Sequence, residues 1–135
     1  MEIRVSKQIA VFLGNKPGTL ARLTQLLSKE KVNIYAISTS DTIDHSVVRL
    51  VVDDPHRAMR MLEEHGAFVV DNDVLMIHGK NSPGSLARIA KMLADAKVNI
   101  EYAYCATDPS STKGIMILRP DNMAKAVKTL NSTKV

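Results

Sequence analysis

Two short segments carry the residue types suited to holding an anion. Asn15-Lys16-Pro17-Gly18 and Asn81-Ser82-Pro83-Gly84 each lie between an apolar, strand-like run and an amphipathic, helix-like run. A glycine at such a junction lets a ligand approach the backbone, and the first amides of the following helix have no intrahelical partner. With the positive end of the helix dipole, those amides form a site for a carboxylate. Asn15 and Asn81 add side-chain amides, and Asn33 and Asn99 open the neighbouring strand. Pro-Gly and Asn are also good turn chemistry with no ligand bound.

The two segments are parts of a longer repeat. Asn15 to Leu23 recurs as Asn81 to Ile89, and Lys31-Val32-Asn33-Ile34 recurs as Lys97-Val98-Asn99-Ile100. The offset is about 66 residues throughout, with about eleven identities in twenty aligned positions and no gap. Finding Asn, Pro, Gly and the later Val-Asn-Ile together in both copies favours ligand binding over a bare turn, although duplication would also preserve a structural turn.

Each copy reads as the same series of elements. Gln8 to Leu13 and Asp73 to His78 have the length of strands. Leu20, Leu23, Leu26 and Leu27, and then Leu86, Ile89, Met92 and Leu93, fall on helical stripes that predict core-facing helices. Val32 to Thr39 and Val98 to Ala106 read as strands. Turns at Asp41-Thr42-Ile43-Asp44 and Asp108-Pro109-Ser110-Ser111 join them to Val47 to Val52 and Ile115 to Leu118. A second helix opens at Asp54-Pro55 and stops at Gly66 in the first copy; Met123, Ala126, Val127 and Leu130 mark its counterpart.

Phe68 to Val70 complete β-α-β-β-α-β in the first copy, the ferredoxin-like order with both helices on one face of an antiparallel sheet. The predicted class is therefore α+β, two tandem modules over 1–70 and 71–135. After Leu130 only Asn131 to Val135 remain, too few for a full final strand, so the second sheet edge is expected to be exposed or borrowed. Ile115-Met116-Ile117-Leu118 is apolar at every position, which predicts that the helix-free face is covered too. A second copy of the chain would cover that face and cap the edge, so a homodimer is expected.

The Asn-x-Pro-Gly-x-Leu-Ala turn, its helix and the Val-Asn-Ile strand opening resemble the ACT domain family over nearly the whole chain. The resemblance is closest to stand-alone proteins of two tandem ACT domains, whose second copy often carries a stretch like Ile100-Glu101-Tyr102-Ala103-Tyr104. It implies regulatory binding of an amino acid at interfaces between ACT modules, the first loop of one module facing strands of another. Carried over by position, the loop residues are Asn15, Pro17, Gly18, Thr19 and Leu20, and Asn81, Pro83, Gly84, Ser85 and Leu86. The strand residues are Asn33, Ile34, Asn99, Ile100 and Glu101, with Glu101 either receiving an ammonium group or forming a surface ion pair. With no catalytic or DNA-binding domain fused to it, such a protein is expected to act on a partner such as a regulated enzyme, to sequester its ligand, or to change its own assembly.

Other functions find less support. The chain has 135 residues with a formal charge of +4, but its basic residues are spread among acids. The strands Val47 to Val52 and Ile115 to Leu118 hold no aromatic residue on which a base would stack. No nucleic-acid partner is expected. No apolar run reaches the ~18 residues of a membrane span, and Met1-Glu2-Ile3-Arg4 lacks a signal pattern, so a cytoplasmic location is expected. Cys105 is the only cysteine and is read as a small core hydrophobe. His45, His56, His65 and His78 are scattered without metal-ligand spacing; His78 alone ends a core strand beside the second loop. Ser85 stands where a phosphate loop needs lysine, and no acylphosphatase-like pair of Arg and Asn is evident, so no catalysis, cofactor or metal is expected.

Overall fold

A computed structural model describes residues 1–41 and 45–132. The order is β1 (Glu2–Gly14), α1 (Thr19–Lys29), β2 (Ile34–Asp41), β3 (His45–Val52), α2 (Pro55–Glu64), β4 (Phe68–Lys80), α3 (Ser85–Asp95), β5 (Ile100–Ala106), β6 (Lys113–Pro120) and α4 (Met123–Asn131). Of the turn expected over Asp41-Thr42-Ile43-Asp44, residues 42–44 lie outside the described residues, as do 133–135.

The chain divides into two compact units, one of residues 7–72 and one of residues 1–6 with 73–135. Strand order in the first is β2-β3-β1-β4 and in the second β1-β4-β6-β5. The hairpins β2/β3 and β5/β6 and the central pairs β1/β3 and β4/β6 are antiparallel. These are two tandem ferredoxin-like α+β modules. In the first unit Ile9, Val11, Leu23, Leu27, Leu50 and Leu62 form the core; in the second Leu75, Ile77, Ile89, Leu93, Leu118 and Leu130 do.

Both long strands run from one unit into the other. β1 and β4 have 13 residues each and the same succession of exposed and buried positions. Residues 68–72 of β4 belong to the first unit, whereas residues 1–6, which hold the start of β1, belong to the second. There Ile3 packs against the core, as Val69 does in the first unit. No strand follows α4 among the described residues, so the missing final strand is borrowed from the start of the same chain. The open edge that called for a second copy is thereby filled. The apolar run of β6 makes no such call either, because Ile117, which alternates away from the core residue Leu118, is only 1% exposed in the single chain.

Helix boundaries follow local chemistry. The Asp54 carboxylate accepts from the Arg57 amide at 3.2 Å and caps α2 ahead of Pro55; the Asn122 side chain accepts from the Lys125 amide at 3.0 Å and caps α4. After α1 and α3 the chain reverses through Lys31 and Lys97, whose φ values of 58° and 60° place a lysine in the left-handed region in both copies. The stripe expected for α1 and α3 begins one turn later than read. Leu20 and Leu86 lie in the first turn and are 43% and 45% exposed, because the helices meet the sheet only from Leu23 and Ile89 onward. Cys105 is exposed, not a core residue, since β5 is the last strand of its sheet.

Candidate functional site

The Asn-x-Pro-Gly loops have the same construction in both units. Gly18 and Gly84 adopt φ of +91° and +88° at the N-cap positions of α1 and α3, a region that favours glycine. A Cβ at either position would meet nothing within 4 Å, so backbone conformation and not crowding selects glycine there. Neither helix has a side-chain cap. The Thr19 hydroxyl turns back to donate within the loop, 2.9 Å from the Gly14 carbonyl and 3.1 Å from that of Lys16. The Ser85 hydroxyl lies 3.0 Å from that of Ser82. Two helix N-termini therefore keep amides that no side chain among the described residues caps, with Leu20 and Leu86 exposed beside them.

The loop asparagines fasten the loops to the neighbouring hairpins. Asn15 Nδ2 donates to the Asp41 carboxylate at 2.6 Å, and Asn81 Nδ2 donates to the Ser111 carbonyl at 2.7 Å. In the second hairpin turn, the Ser110 amide and then its hydroxyl donate to Asp108 at 2.9 and 2.7 Å and hold that carboxyl below the usual range. Pro17 and Pro83 lie exposed between asparagine and glycine.

The strand residues lie elsewhere in each module. Asn33 and Asn99 exchange backbone bonds with aspartates at the ends of β3 and β6. The Asn33 amide donates to Asp53 Oδ1 at 2.9 Å and its carbonyl accepts from the Asp53 amide at 3.1 Å; Asn99 and Asp121 repeat this at 3.1 and 2.9 Å. Ile34 and Ile100 pack against the cores. Ile34 pairs with Val52, whereas Gly14, at the loop, pairs with His45 at the other end of β3. At ~3.3 Å per residue this separates loop and strand opening by about 20 Å. The same holds for Lys80 opposite Lys113 and Ile100 opposite Pro120 in the second unit. One module therefore does not bring its own loop and Val-Asn-Ile residues together.

Register shifts next to Ile34 and Ile100 leave Tyr35 and Glu101 as extra residues in β2 and β5, both exposed. A bulge turns a side chain away from the regular alternation. Glu101 Oε1 lies 3.7 Å from Arg119 Nε, an ion pair at the surface.

Two residues outside the expected set accompany the loops. Arg22 lines a cleft of about 350 Å³ with Gly14, Thr19, Leu26, His65 and Phe68. Arg88 lines a smaller one of about 50 Å³ with Gly79, Lys80, Ser85, Ile89 and Met116. Neither guanidinium has a hydrogen-bond or ion-pair partner among the described residues. Their signal in the sequence was the shared Leu-Ala-Arg that closes the repeated motif.

The fold and the paired loops define a tandem module of the ACT type. A family model described as an ACT domain pair matches residues 4–135, and the chain belongs to that family. Among solved structures it is similar to protein BT0572 from Bacteroides thetaiotaomicron, with 33% identity, a TM-score of 0.90, and coverage of 96% of this chain and 89% of that one. It also shares its fold with the regulatory subunit of aspartate kinase from Thermus thermophilus (18% identity, TM-score 0.71, 98% and 97% covered). The corresponding subunit from Thermus flavus gives 18%, 0.66, 97% and 94%. No curated protein matches the chain. Among the described residues no helix is long and apolar enough to cross a membrane.

Proposed function

We propose that this ACT pair is a regulatory protein that binds a small amino-acid-type ligand through its Asn-x-Pro-Gly loops, at interfaces between ACT modules. One observation carries the reading. Among the described residues, side chains cap α2 and α4 but neither α1 nor α3, and the arginine on the first turn of each of these two has no partner. Uncovered amides, the helix dipole and a guanidinium suit the carboxylate of an amino acid. Asn15, Pro17, Gly18, Thr19 and Leu20, with Asn81, Pro83, Gly84, Ser85 and Leu86, form the loop halves. Asn33, Ile34, Asn99, Ile100 and Glu101 form the strand halves, supplied by a different module.

That separation supports a homodimer in which ACT modules of two copies meet, each chain counting as two domains, 1–70 and 71–135, by duplication. Regulatory subunits of aspartate kinase put the same fold to regulatory use, which makes an enzyme the partner class in view. The proposal places the protein in the cytoplasm and gives it no catalytic role.

The test is a thermal-shift screen against the twenty amino acids, with sedimentation to read assembly. A ligand at about 100 times its Kd adds about 2.7 kcal/mol of stability. A reproducible rise with one amino acid or a related pair, lost in Gly18→Val or Gly84→Val while the fold is retained, is expected. Normal binding by both variants would reduce the loops to turns, and no response at millimolar levels would leave a partner-binding scaffold. Glu101→Gln is expected to weaken the ligand by about 1.5–3 kcal/mol if the carboxylate receives its ammonium group. Unchanged affinity removes that role and leaves Glu101 to Arg119.

A further inference from the structure

The geometry points to a second binding site, on the helix-free side of the second unit's sheet, for a small ligand bearing a phosphate group, held by His78, Lys80 and Lys113. Strand alternation puts these side chains on one face. Leu75 and Ile77 enter the core, so His78 and Lys80 face the other way; Leu118 enters the core, so Lys113 does too. Lys80 and Lys113 are direct cross-strand partners, and His78 is opposite Ile115. Like charges in that relation are unfavourable unless an anion joins them. Neither ammonium has an ion-pair partner among the described residues. Glu2 also lines the hollow, and its carboxylate accepts from Arg4 at 3.1 Å.

These residues, with Gly79, Gly114 and Ile115, line a hollow of about 450 Å³, the size of a small-ligand site. His78 Nε2 is buried with no hydrogen-bond partner among the described residues. A buried polar atom left unpaired is unfavourable, so it marks a place where a ligand atom completes the structure. Two point cations and one imidazole nitrogen match the charge and the several acceptor oxygens of a phosphate dianion better than a single carboxylate. None of the loop residues Asn81 to Leu86 lines the hollow.

The first unit differs at the same place. The counterparts of His78 and Glu2 are Phe12 and Phe68, in edge-to-face contact with centroids 5.2 Å apart, and Gly14 stands where the second unit has Lys80. The two copies thus differ here, with an aromatic pair in one and a cationic hollow in the other.

Phosphorus NMR titration of the full chain with inorganic phosphate tests the assignment. Saturable binding is expected, weakened about tenfold or more by Lys80→Gln or Lys113→Gln, since losing one charged hydrogen bond is worth about 1.5–3 kcal/mol. His78→Phe, which restores the first unit's residue, is expected to weaken it as well, with melting curves confirming that each variant folds. The exposed Lys29→Gln and Lys125→Gln carry the same charge change and are expected to leave binding intact. Absence of saturable binding, equal weakening by these controls, or binding of succinate without phosphate would overturn the proposal. The amino-acid screen repeated on Lys113→Gln, whose lysine lines the hollow but not the Arg88 cleft, separates its failure from failure of the loop reading, because amino-acid stabilisation is expected to persist there.

Discussion

Residues 7–72 close their sheet with a strand that follows their second helix, whereas residues 73–135 close theirs with residues from the far end of the chain. Nearly everything else is held in common: the uncapped helix behind a left-handed glycine, the left-handed lysine, the Asn–Asp clamp and the bulge beside it. The difference teaches that what a module needs is a strand in a given place, and not a strand in a given position of the sequence. Features present in both copies belong to the fold or to the proposed loop site; features present in one, such as the His78 hollow, are where the copies differ.

The largest test of that comparison is to place a charge at either closing strand. Ile3→Asp is expected to destabilise the second unit, and Val69→Asp the first, each by about 3 kcal/mol, because a partly buried carboxylate replaces core contact. Hydrogen exchange resolved by unit reads the result. Loss of protection around Leu27 and Leu62 in Ile3→Asp would contradict the assignment of residues 2–6 to the second unit. Next in size are the capped helices. Asp54→Ala and Asn122→Ala are each expected to cost about 1 kcal/mol in urea unfolding. A negligible loss for both would undo the contrast with α1 and α3.

Lys31→Gly and Lys97→Gly are expected to stabilise the chain by about 0.5–1 kcal/mol each, through release of left-handed strain, partly offset by glycine's greater freedom when unfolded. Destabilisation would mean that the lysine side chain is itself required at that corner. The smallest effect concerns pH. Asp108 is fully exposed and held below the usual carboxyl range by Ser110, so its contribution is present above the unfolded pKa and is lost as pH falls through the lower folded value. An NMR titration is expected to find Asp108 titrating below an ordinary aspartate, and Ser110→Ala is expected to move it back up. An unshifted Asp108 would contradict the turn geometry.

Much of this architecture was legible because the repeat states each element twice. Leu23, Leu27, Ile89 and Leu93 recur at helical spacing, and Asp54-Pro55 and Gly66 mark a helix start and stop by chemistry that acts locally. The closing strand of the second unit was not legible, because in Glu2 to Ser6 only Ile3 and Val5 are apolar and nothing local says which sheet they join. Leu20 and Leu86 misled for a related reason: spacing puts them on the stripe, but only tertiary structure shows where the sheet ends beneath it. The bulges at Tyr35 and Glu101 have no signature in residue type. Of the candidate site, the loops were legible because Asn, Pro and Gly recur together in both copies, while their distance from Asn33 and Asn99 is a fact of strand register.

Sharing β1 and β4 also orders events during synthesis. Residues 7–72 are a continuous stretch, so the contacts of the first unit join residues made close together in time. Residues 2–6 are made before them yet complete a unit whose other residues, 73–135, come after them, and contacts of such long sequence separation are slow to form.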